Sequence, residues 1–302
     1  MSEFLDRVKN KLKLPRYYVE VVIVKFGIFI FRLLGANKSS ELGSFLGRRI
    51  GKLISVQKLA KNNLRLAIPY LDEGQIEDIL DGMWDNLGRI VGEFVHISSI
   101  SSRDLLNHVM VNSDSRKNIE FLKKNKKGGI IFSGHIGNWE IGSKIFLENG
   151  INIKTLYRPL NNSFVDSITS SIRDAEIIPK GSKGNKQIIQ ELKNGNYIAI
   201  LIDQRVSDGI AVPFFGREAL TTAAVARLAL KYNVPLIPFR SIRVGRKFAF
   251  EARIEKPLEF KKTDNITDSE VFALTVKMNE KLEEWIKEYP SQWFWVHNRW
   301  KK

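Results

Sequence analysis

The spacing of apolar positions changes along the chain and predicts two kinds of structure. Up to about residue 100 the apolar positions recur at helical intervals, with a turn region at 69–74. From about residue 128, short apolar runs alternate with helix-like stretches, a pattern typical of α/β proteins. The runs are 129–134, 151–157, 175–179, 197–203, 234–242 and 248–254; the stretches are 138–148, 162–174, 185–194, 220–232 and 268–289. We predict an α/β fold with a central, largely parallel sheet flanked by helices, preceded by a helical N-terminal region.

A long apolar segment lies near the start of the chain. Residues 17–35 are apolar except for Glu20, Lys25 and Arg32, and the basic run RVKNKLKLPR precedes them at 7–16. A spanning helix needs about 20 apolar residues, and a mid-span Lys costs about 3 kcal/mol. A single span and an in-plane interfacial helix therefore both stay open, with a buried core helix as a third interpretation. The basic flank favours a membrane anchor.

This anchor is predicted to occupy residues 1–40. The rest of the chain, residues 41–302, is predicted to form the main domain, mainly helical over 41–125 and α/β over 126–302. Glycines at 43, 47 and 51 recur every fourth residue, which lets another backbone approach a helix closely. Packing within the same chain is favoured over dimerisation, although a non-catalytic membrane scaffold built on this stripe is one alternative function.

The net charge is +15 and is concentrated at the start of the chain. Residues 1–65 carry 14 Lys and Arg against 4 Asp and Glu. Such a block indicates a polyanionic partner, either nucleic acid or an anionic membrane. The neighbouring apolar segment favours the membrane, and no zinc-finger or RNP-like motif is present, so we expect no nucleic acid. The chain has no Cys and its four His have no metal-ligand spacing, so we expect no metal centre.

Polar residues follow three of the predicted strands. His135 comes after 129–134, Arg158 after 151–157, and Asp203 and Gln204 after the apolar part of 197–203. Ligands of open α/β sheets gather at the carboxyl ends of the strands. If these strands are parallel, a base, a cation and a carboxylate converge at one edge of the sheet.

The segment GHIGNWE, residues 134–140, is the most informative of these. His135 and Glu140 are five residues apart, about 140° around a regular helix, so they would not share a helical face. The spacing suits His135 in a strand-to-helix turn and Glu140 in the first helical turns. The carboxylate could then accept an imidazole N–H, which leaves the other ring nitrogen to take a proton from a hydroxyl. A capping His with a solvent-facing Glu is the alternative.

Several catalytic designs are absent from the sequence. It contains no G-x-S-x-G elbow, no P-loop and no G-x-G-x-x-G. His135 would therefore activate a hydroxyl of the substrate instead of a protein nucleophile, which indicates direct transfer without a covalent enzyme intermediate.

The chain resembles the late acyltransferases of lipid A assembly, the lauroyl and myristoyl transferases, within the lysophospholipid acyltransferase superfamily. The resemblance rests on the order and spacing of several segments over nearly the whole chain. They are NNLRLAIPYL (62–71), WDNLGRIVGE (84–93), GHIGNWE (134–140), YRP (157–159), NGNYIAILIDQ (194–204), VPFFGREALTTAAVARLAL (212–230) and PSQWFWVHNRWK (290–301).

The resemblance implies transfer of a fatty acyl chain from an acyl carrier protein thioester to a hydroxyl of a lipid A precursor, without a cofactor. We expect the enzyme at the cell inner membrane, and the positive flanks of the apolar segment favour the cytoplasmic side for the catalytic domain. The resemblance assigns His135 as the general base and Glu140 as the carboxylate that orients it. Arg158 would stabilise charge or position substrate, and Asp203 and Gln204 would position substrate or support the site. An acyltransferase for a glycerophospholipid or another glycolipid is the alternative.

The C-terminal tail departs from the family pattern. Its HNRW is less basic than the paired arginines expected there, which weakens the case for donor docking through it. Four of the six Trp lie in the last 18 residues, Trp285, Trp293, Trp295 and Trp300. Packing against the sheet is favoured for them over an interfacial belt.

Overall fold

The computed structural model describes residues 2–261 and 265–300, with side chains of the first helix from Leu14 onward. Most of the basic run at 7–16 therefore has its side chains outside the described residues. The helices are α1 (Ser2–Gly51), α2 (Val56–Ala67), α3 (Glu73–Ile97), α4 (Ser102–His108), α5 (Ser113–Lys124), α6 (Ile141–Glu148), α7 (Ser163–Ser170), α8 (Ser182–Lys193), α9 (Ala224–Tyr232) and α10 (Asp268–Glu288). The strands are β1 (Val109–Val111), β2 (Gly129–Ser133), β3 (Ile153–Tyr157), β4 (Ile177–Pro179), β5 (Tyr197–Leu201), β6 (Ile210–Phe214), β7 (Arg217–Thr221), β8 (Leu236–Arg243) and β9 (Phe250–Ile254).

Seven of these strands form one sheet in the order β1-β9-β8-β2-β5-β3-β4. All neighbouring pairs are parallel except β8 and β9, which are antiparallel. The predicted α/β fold with a mostly parallel central sheet, flanking helices and a helical N-terminal region is therefore confirmed. β2 lies in the middle of the sheet, with β3, β4 and β5 on one side and β1, β8 and β9 on the other. The order of the strands therefore reverses at β2, and open α/β sheets bind ligands at such a point.

The central strands are apolar because helices cover both faces of the sheet. Every residue of β2 and of β8 is buried, as expected for parallel strands covered on both sides. Alternate residues of β2 enter different cores: Ile130 and Phe132 pack in one, Ile131 in the other. Trp285, Trp293 and Trp295 are fully buried in the first of these cores, which confirms packing as the role of these three rings.

A hairpin of β6 and β7 stands apart from the main sheet and was not predicted. Its two-residue turn is formed by Phe215 and Gly216, both with positive φ, at 52° and 68°. Two positive φ values define the type I′ turn that matches the twist of a hairpin, and Asn-Gly is its usual sequence. Because Phe215 stands in the first position of the turn, the sequence lacks the Asn-Gly signature that would have predicted it. The three-residue β1 was also missed.

The first helix crosses the predicted boundary at residue 40 and changes direction before it, at Gly35, whose φ and ψ are 71° and 165°. After the change of direction, Gly43 and Gly47 lie against the backbone of α3 at Gly88 and Trp84, where a Cβ would collide with carbonyl oxygens. The glycine stripe thus serves packing within the chain.

None of the helices in the described part of the chain combines the length and the apolarity that crossing a bilayer requires. The membrane anchor over residues 1–40 stays a prediction.

Candidate active site

The turn between β2 and α6 carries His135 at the carboxyl edge of the sheet. Glu140 immediately precedes α6, as the spacing of the two residues suggested. Gly137 has φ +58°, and a side chain there would collide with the Ser241 carbonyl oxygen. Its N–H donates to the carbonyl oxygen of Gln292 (3.0 Å). The turn is therefore held between β8 and the C-terminal segment, and position 137 requires glycine.

A buried polar network supports this turn from below. The Asn138 amide donates to Glu93 (2.8 Å), whose carboxylate forms two hydrogen bonds with Arg243, at 2.6 and 2.7 Å. Asn86 donates to the carbonyl oxygen of Gly137 at 2.9 Å. A fully buried Glu is tolerated only when it is paired and hydrogen-bonded, and Glu93 is. The motif WDNLGRIVGE therefore supports the His135 turn through the side chains of Asn86 and Glu93.

The carboxylate that contacts His135 belongs to Asp203. Its Oδ1 lies 2.7 Å from the imidazole Nδ1, and its Oδ2 accepts the His135 backbone N–H at 2.6 Å. The Trp293 indole N–H also donates to Oδ2, at 2.8 Å. Asp203 is fully buried and lies just after β5, which pairs with β2. Three donors thus fix one carboxylate directly behind the imidazole.

This arrangement determines the ionisation state of the carboxylate and the tautomer of the ring. Burial on its own would raise the pKa of Asp203, but the charge of His135 and its hydrogen bonds outweigh burial and hold that pKa well below its usual range. An ionised Asp203 accepts the proton of Nδ1, so the hydrogen-bond network assigns the free lone pair of His135 to Nε2. The imidazole is therefore set up as a base on the side away from Asp203.

Glu140 makes a different contact from the one expected. Its carboxylate forms two hydrogen bonds with the Arg173 guanidinium, 3.0 and 2.9 Å long, and both side chains are about one-fifth exposed. The expectation that Glu140 holds the imidazole does not match this geometry. The physical reason is tertiary: parallel pairing of β2 with β5 brings Asp203 to Nδ1, and Glu140 then faces Arg173.

An apolar cavity of about 290 Å³ opens beside His135, close to the lower end of the range of roughly 300–1,000 Å³ for ligand sites. Its apolar walls include Phe94, Ile97, Ile131, Phe146, Ile172 and Phe239. Two residues that line it each carry a buried polar atom with no hydrogen-bond partner within the described structure, the Nη1 of Arg173 and the hydroxyl oxygen of Tyr157. Buried donors in this state are the groups that a bound substrate would satisfy.

The remaining predicted residues also border this cavity. Gln204 places its Nε2 3.5 Å from His135 Nε2, at the outer limit of a hydrogen bond. Arg158 is exposed and lines the cavity at its mouth, beside Leu160. The structure thus brings His135, Asp203, Gln204 and Arg158 to one sheet edge, as the strand ends indicated.

The C-terminal segment contributes groups that the sequence reasoning did not assign. The ring centroid of His297 lies 4.6 Å from that of His135, and Arg299 donates to the Gln204 carbonyl oxygen at 3.1 Å. Burial lowers the pKa of His297 to about 4 and that of Arg299 to about 10. His297 is therefore neutral near pH 7. Its only sequence signal was the tail match VHNRW; the tail packs behind the site and supports it.

One cluster has the residue types of a metal site. His135, Asp203 and His297 place one ligand atom each within 4.8 Å of one another, and catalytic zinc sites commonly have three protein ligands. Both Asp203 oxygens already accept hydrogen bonds, from His135 and Trp293. The carboxylate oxygens that could bind a metal are thus already hydrogen-bonded within the protein. The expectation of a reaction without metal or cofactor stays a prediction.

An imidazole oriented by a buried carboxylate, at the side of an apolar cavity, equips an enzyme for acid–base chemistry on a substrate with hydrocarbon chains. The family follows from sequence comparison. Residues 6–302 match the family described as bacterial lipid A biosynthesis acyltransferase, and the chain belongs to it. The protein is accordingly an acyltransferase of the lipid A biosynthesis type.

Known proteins with related sequences carry matching descriptions. The chain is 26% identical to a lipid A biosynthesis acyltransferase of Haemophilus influenzae, over 97% of this chain and 96% of that protein. It is 22% identical to the lipid A biosynthesis myristoyltransferase of Escherichia coli, over 85% and 78%. It is also 21% identical to a phosphatidylinositol mannoside acyltransferase of Mycobacterium tuberculosis, over 57% and 54%. Related acyltransferases thus act on more than one class of lipid.

Proposed function

We propose that the protein transfers a fatty acyl chain from an acyl carrier protein thioester to a hydroxyl of a lipid A precursor, at the cytoplasmic side of the inner membrane. The single observation that carries the proposal is the contact of 2.7 Å between His135 Nδ1 and the buried Asp203, beside an apolar cavity. A neutral imidazole with Nε2 free can take a proton from a hydroxyl only if that hydroxyl approaches from the cavity side.

The proposed reaction is one displacement through a tetrahedral intermediate. The acceptor oxygen attacks the thioester carbonyl carbon while His135 Nε2 takes its proton. The intermediate collapses with cleavage of the carbon–sulfur bond, and the same proton passes from His135 to the leaving thiolate. The imidazolium formed in between is stabilised by the ionised Asp203. No residue is acylated, which accords with a chain that has neither Cys nor a serine elbow.

The negative charge that develops on the carbonyl oxygen needs donors, and Arg173 and Tyr157 carry them. Arg173 lies over the rings of Phe94 and Tyr157, at 5.1 and 5.4 Å, and is held by Glu140. Its Nη1 and the Tyr157 hydroxyl are both buried without a hydrogen-bond partner among the described residues, and both residues line the cavity. Preorganised donors of this kind stabilise an oxyanion. In this proposal Glu140 orients Arg173, and Asp203 replaces it as the partner of His135.

The outer parts of the site suit acidic substrates. Arg158 at the cavity mouth is exposed and could hold a phosphate of the glycolipid, because a guanidinium binds phosphate through two parallel hydrogen bonds. The net charge of +15 would attract an acidic carrier protein, a phosphorylated glycolipid and an anionic membrane. The tail is excluded as a docking arm in this proposal, because Trp293, His297 and Arg299 pack behind Asp203 and Gln204.

Replacement of His135 tests the proposal. His135→Ala should lower the rate of acyl transfer by about 10²–10⁴-fold, the usual cost of losing a general base. The rate is measured with purified protein, acyl carrier protein thioester and lipid A precursor. In a second experiment the protein is expressed in a late-acylation mutant and the mass of its lipid A is determined by mass spectrometry. His108→Ala is the matched control, because His108 packs against Phe248 away from the cavity. A folded His135→Ala protein that keeps more than half of the wild-type rate contradicts the assignment.

The acceptor is tested separately. The relative named for phosphatidylinositol mannoside is the observation that favours another lipid acceptor. The same expression experiment, read on both lipid A and the phospholipid fraction, distinguishes the two. One added acyl mass on lipid A supports the proposal, whereas added acyl mass on a phospholipid or another glycolipid alone overturns the acceptor and leaves the chemistry standing.

A further inference from the structure

The outer face of the first helix is apolar although it packs against nothing in the described structure. Val19, Val22, Ile23, Phe26, Phe29 and Leu33 are between 57% and 69% exposed, and we call these six residues the outer face of α1. At about 100° per residue they cover roughly 120° of the helix circumference. A continuous exposed apolar stripe of this kind marks an interaction surface.

The other side of the same helix is attached to the domain. The Asn162 side chain donates to the Tyr17 carbonyl oxygen and to Glu20, at 3.0 and 2.9 Å. Near the other end, the Phe31 carbonyl oxygen accepts from Ser39 and lies 2.9 Å from the His96 ring. A helix held at two points along its inner side can present only its outer face to a partner.

The charges around the stripe select the partner. Lys25 and Arg32 lie within about 60° of one edge of the outer face. Arg16 lies within about 20° of the other edge, where it forms an ion pair with Glu20 at 2.8 Å. All three are exposed, and the net charge of residues 1–65 is +10. An apolar stripe flanked by cations, in a segment of high net positive charge, is the pattern of a helix that lies in the plane of an anionic membrane interface.

The outer face continues to the mouth of the cavity. Tyr18, beside the stripe, stacks on Phe164 at the start of α7, with ring centroids 5.8 Å apart. Phe164 and Leu160 are 45% and 46% exposed, and Leu160 lines the cavity together with Arg158. On the α3 side, Ile97 lines the cavity next to His96, which contacts α1. The helix therefore runs along the rim of the cavity.

We infer that α1 lies in the plane of an anionic bilayer surface with its outer face immersed, and that the cavity opens to this bilayer between α1 and the Leu160–Phe164 segment. A lipid acceptor then enters from the side, with its chains in the bilayer and its phosphate at Arg158. The lateral entry of an acceptor rests on the proposed function; the orientation of the helix does not.

The absence of Cys from the chain makes a direct test simple. Single Cys residues are introduced as Val22→Cys, Phe29→Cys, Leu160→Cys and, as control, Glu120→Cys on α5, and each carries a polarity-sensitive fluorophore. The full-length proteins are mixed with vesicles of phosphatidylethanolamine and phosphatidylglycerol in equal amounts, with nitroxide quenchers at shallow or deep positions. The labels at 22, 29 and 160 should shift to the blue and be quenched best by the shallow nitroxide, whereas the label at 120 should not respond.

Each other result overturns a named part of the inference. In a spanning helix the labels at 22 and 29 would differ in depth by about 10 Å. If the labels at 22 and 29 do not respond to the vesicles, the outer face does not bind a bilayer. Sedimentation of the protein alone would then show whether a second copy of the chain covers it. Response at 22 and 29 without response at 160 would overturn the lateral opening. These measurements do not depend on catalysis and can also be made with His135→Ala. Their outcome is therefore independent of whether the proposed reaction is correct.

Charged substitutions test the functional consequence. The double variant Val22→Glu with Phe26→Glu should lower the partition constant for these vesicles by about 100-fold, because two large apolar side chains no longer enter the bilayer. Acyl transfer to a vesicle-embedded acceptor should fall in parallel, while transfer to a detergent-dispersed acceptor should stay within about twofold of wild type. Met110→Glu, at a residue 57% exposed on the far edge strand, is the matched control. Equal loss in both assays would overturn the inference.

Discussion

The two carboxylates of the site, Asp203 and Glu140, are held in opposite ways. Asp203 is fully buried behind the imidazole and accepts three hydrogen bonds, all from His135 and Trp293. Glu140 is partly exposed on the cavity wall and is paired with a single cation, Arg173. A carboxylate that already accepts three hydrogen bonds orients its donors, whereas the Glu140–Arg173 pair leaves the Nη1 of Arg173 without a hydrogen-bond partner among the described residues. Position in the fold, more than residue type, separates orientation of the base from binding of charge.

The largest effect on the rate of acyl transfer is expected when Asp203 is replaced. Asp203→Asn puts an amide N–H against donors and favours the wrong His135 tautomer, so kcat should fall by about 10²–10⁴-fold. Glu140→Gln is the paired variant and should keep the pH–rate profile of the wild type. Both rates and profiles are measured on protein whose fold is checked by circular dichroism. A larger loss and a shifted profile in Glu140→Gln would restore Glu140 as the partner of the base.

A somewhat smaller effect is expected at the cavity wall. Arg173→Gln removes the unsatisfied Nη1 donor and should lower kcat by about 10²–10³-fold with little change in the acceptor KM, as for loss of an oxyanion donor. Arg173→Lys, which keeps the charge without the fork, should recover part of the rate. Steady-state kinetics with varied acceptor separates the constants. A change confined to KM would make Arg173 a binding group instead.

The sequence was sufficient to predict the sheet edge but not the contacts made there. Strand ends in a parallel sheet must meet, so His135, Arg158 and Asp203 could be placed together from the order of apolar runs alone. The choice of partner for His135 could not be made, because Glu140 is close in sequence while Asp203 is 68 residues away and arrives through the β2–β5 pairing. Local spacing favours near neighbours, whereas the register of a parallel sheet is a property of the whole fold.

Other parts of the site had weaker signals. Arg173 lies just after α7, and nothing in its neighbourhood marks it as the partner of Glu140 until the loop is folded against α6. His297 occurs in a tail whose apolar Trp residues indicated packing, so a polar role there was hidden. The helical pattern of residues 17–35 predicted an apolar helix, but only contacts such as Asn162 to Tyr17 show which of its sides is free.

His297 allows the buried side of the site to be tested through stability. Burial lowers the pKa of His297 from 6.5 to about 4, so the unfolded chain binds more protons than the folded chain between these values. Stability is therefore complete above about pH 6.5 and falls as the pH drops towards 4. Between about pH 7.5 and 5 the loss from this group should be about 2 kcal/mol. His297→Gln should lack this part of the decrease, as measured by denaturant unfolding at both pH values; equal decreases in both proteins would contradict a buried neutral ring.

The smallest effect is expected at the mouth of the cavity and sharpens the contrast between its two arginines. Arg158 is exposed beside Leu160, whereas Arg173 is about one-fifth exposed and lies over the rings of Phe94 and Tyr157. An exposed guanidinium that holds an acceptor phosphate binds ground state and transition state alike, so Arg158→Gln should raise the acceptor KM about tenfold and leave kcat within about twofold. The increase should shrink at high salt, because exposed charges are screened. Lys180→Gln, at another exposed cation of the cavity rim, shows how much any nearby positive charge contributes. If Arg158→Gln instead lowers kcat by 10²-fold or more at unchanged KM, then Arg158 and not Arg173 faces the oxyanion, on the scale expected for such a donor.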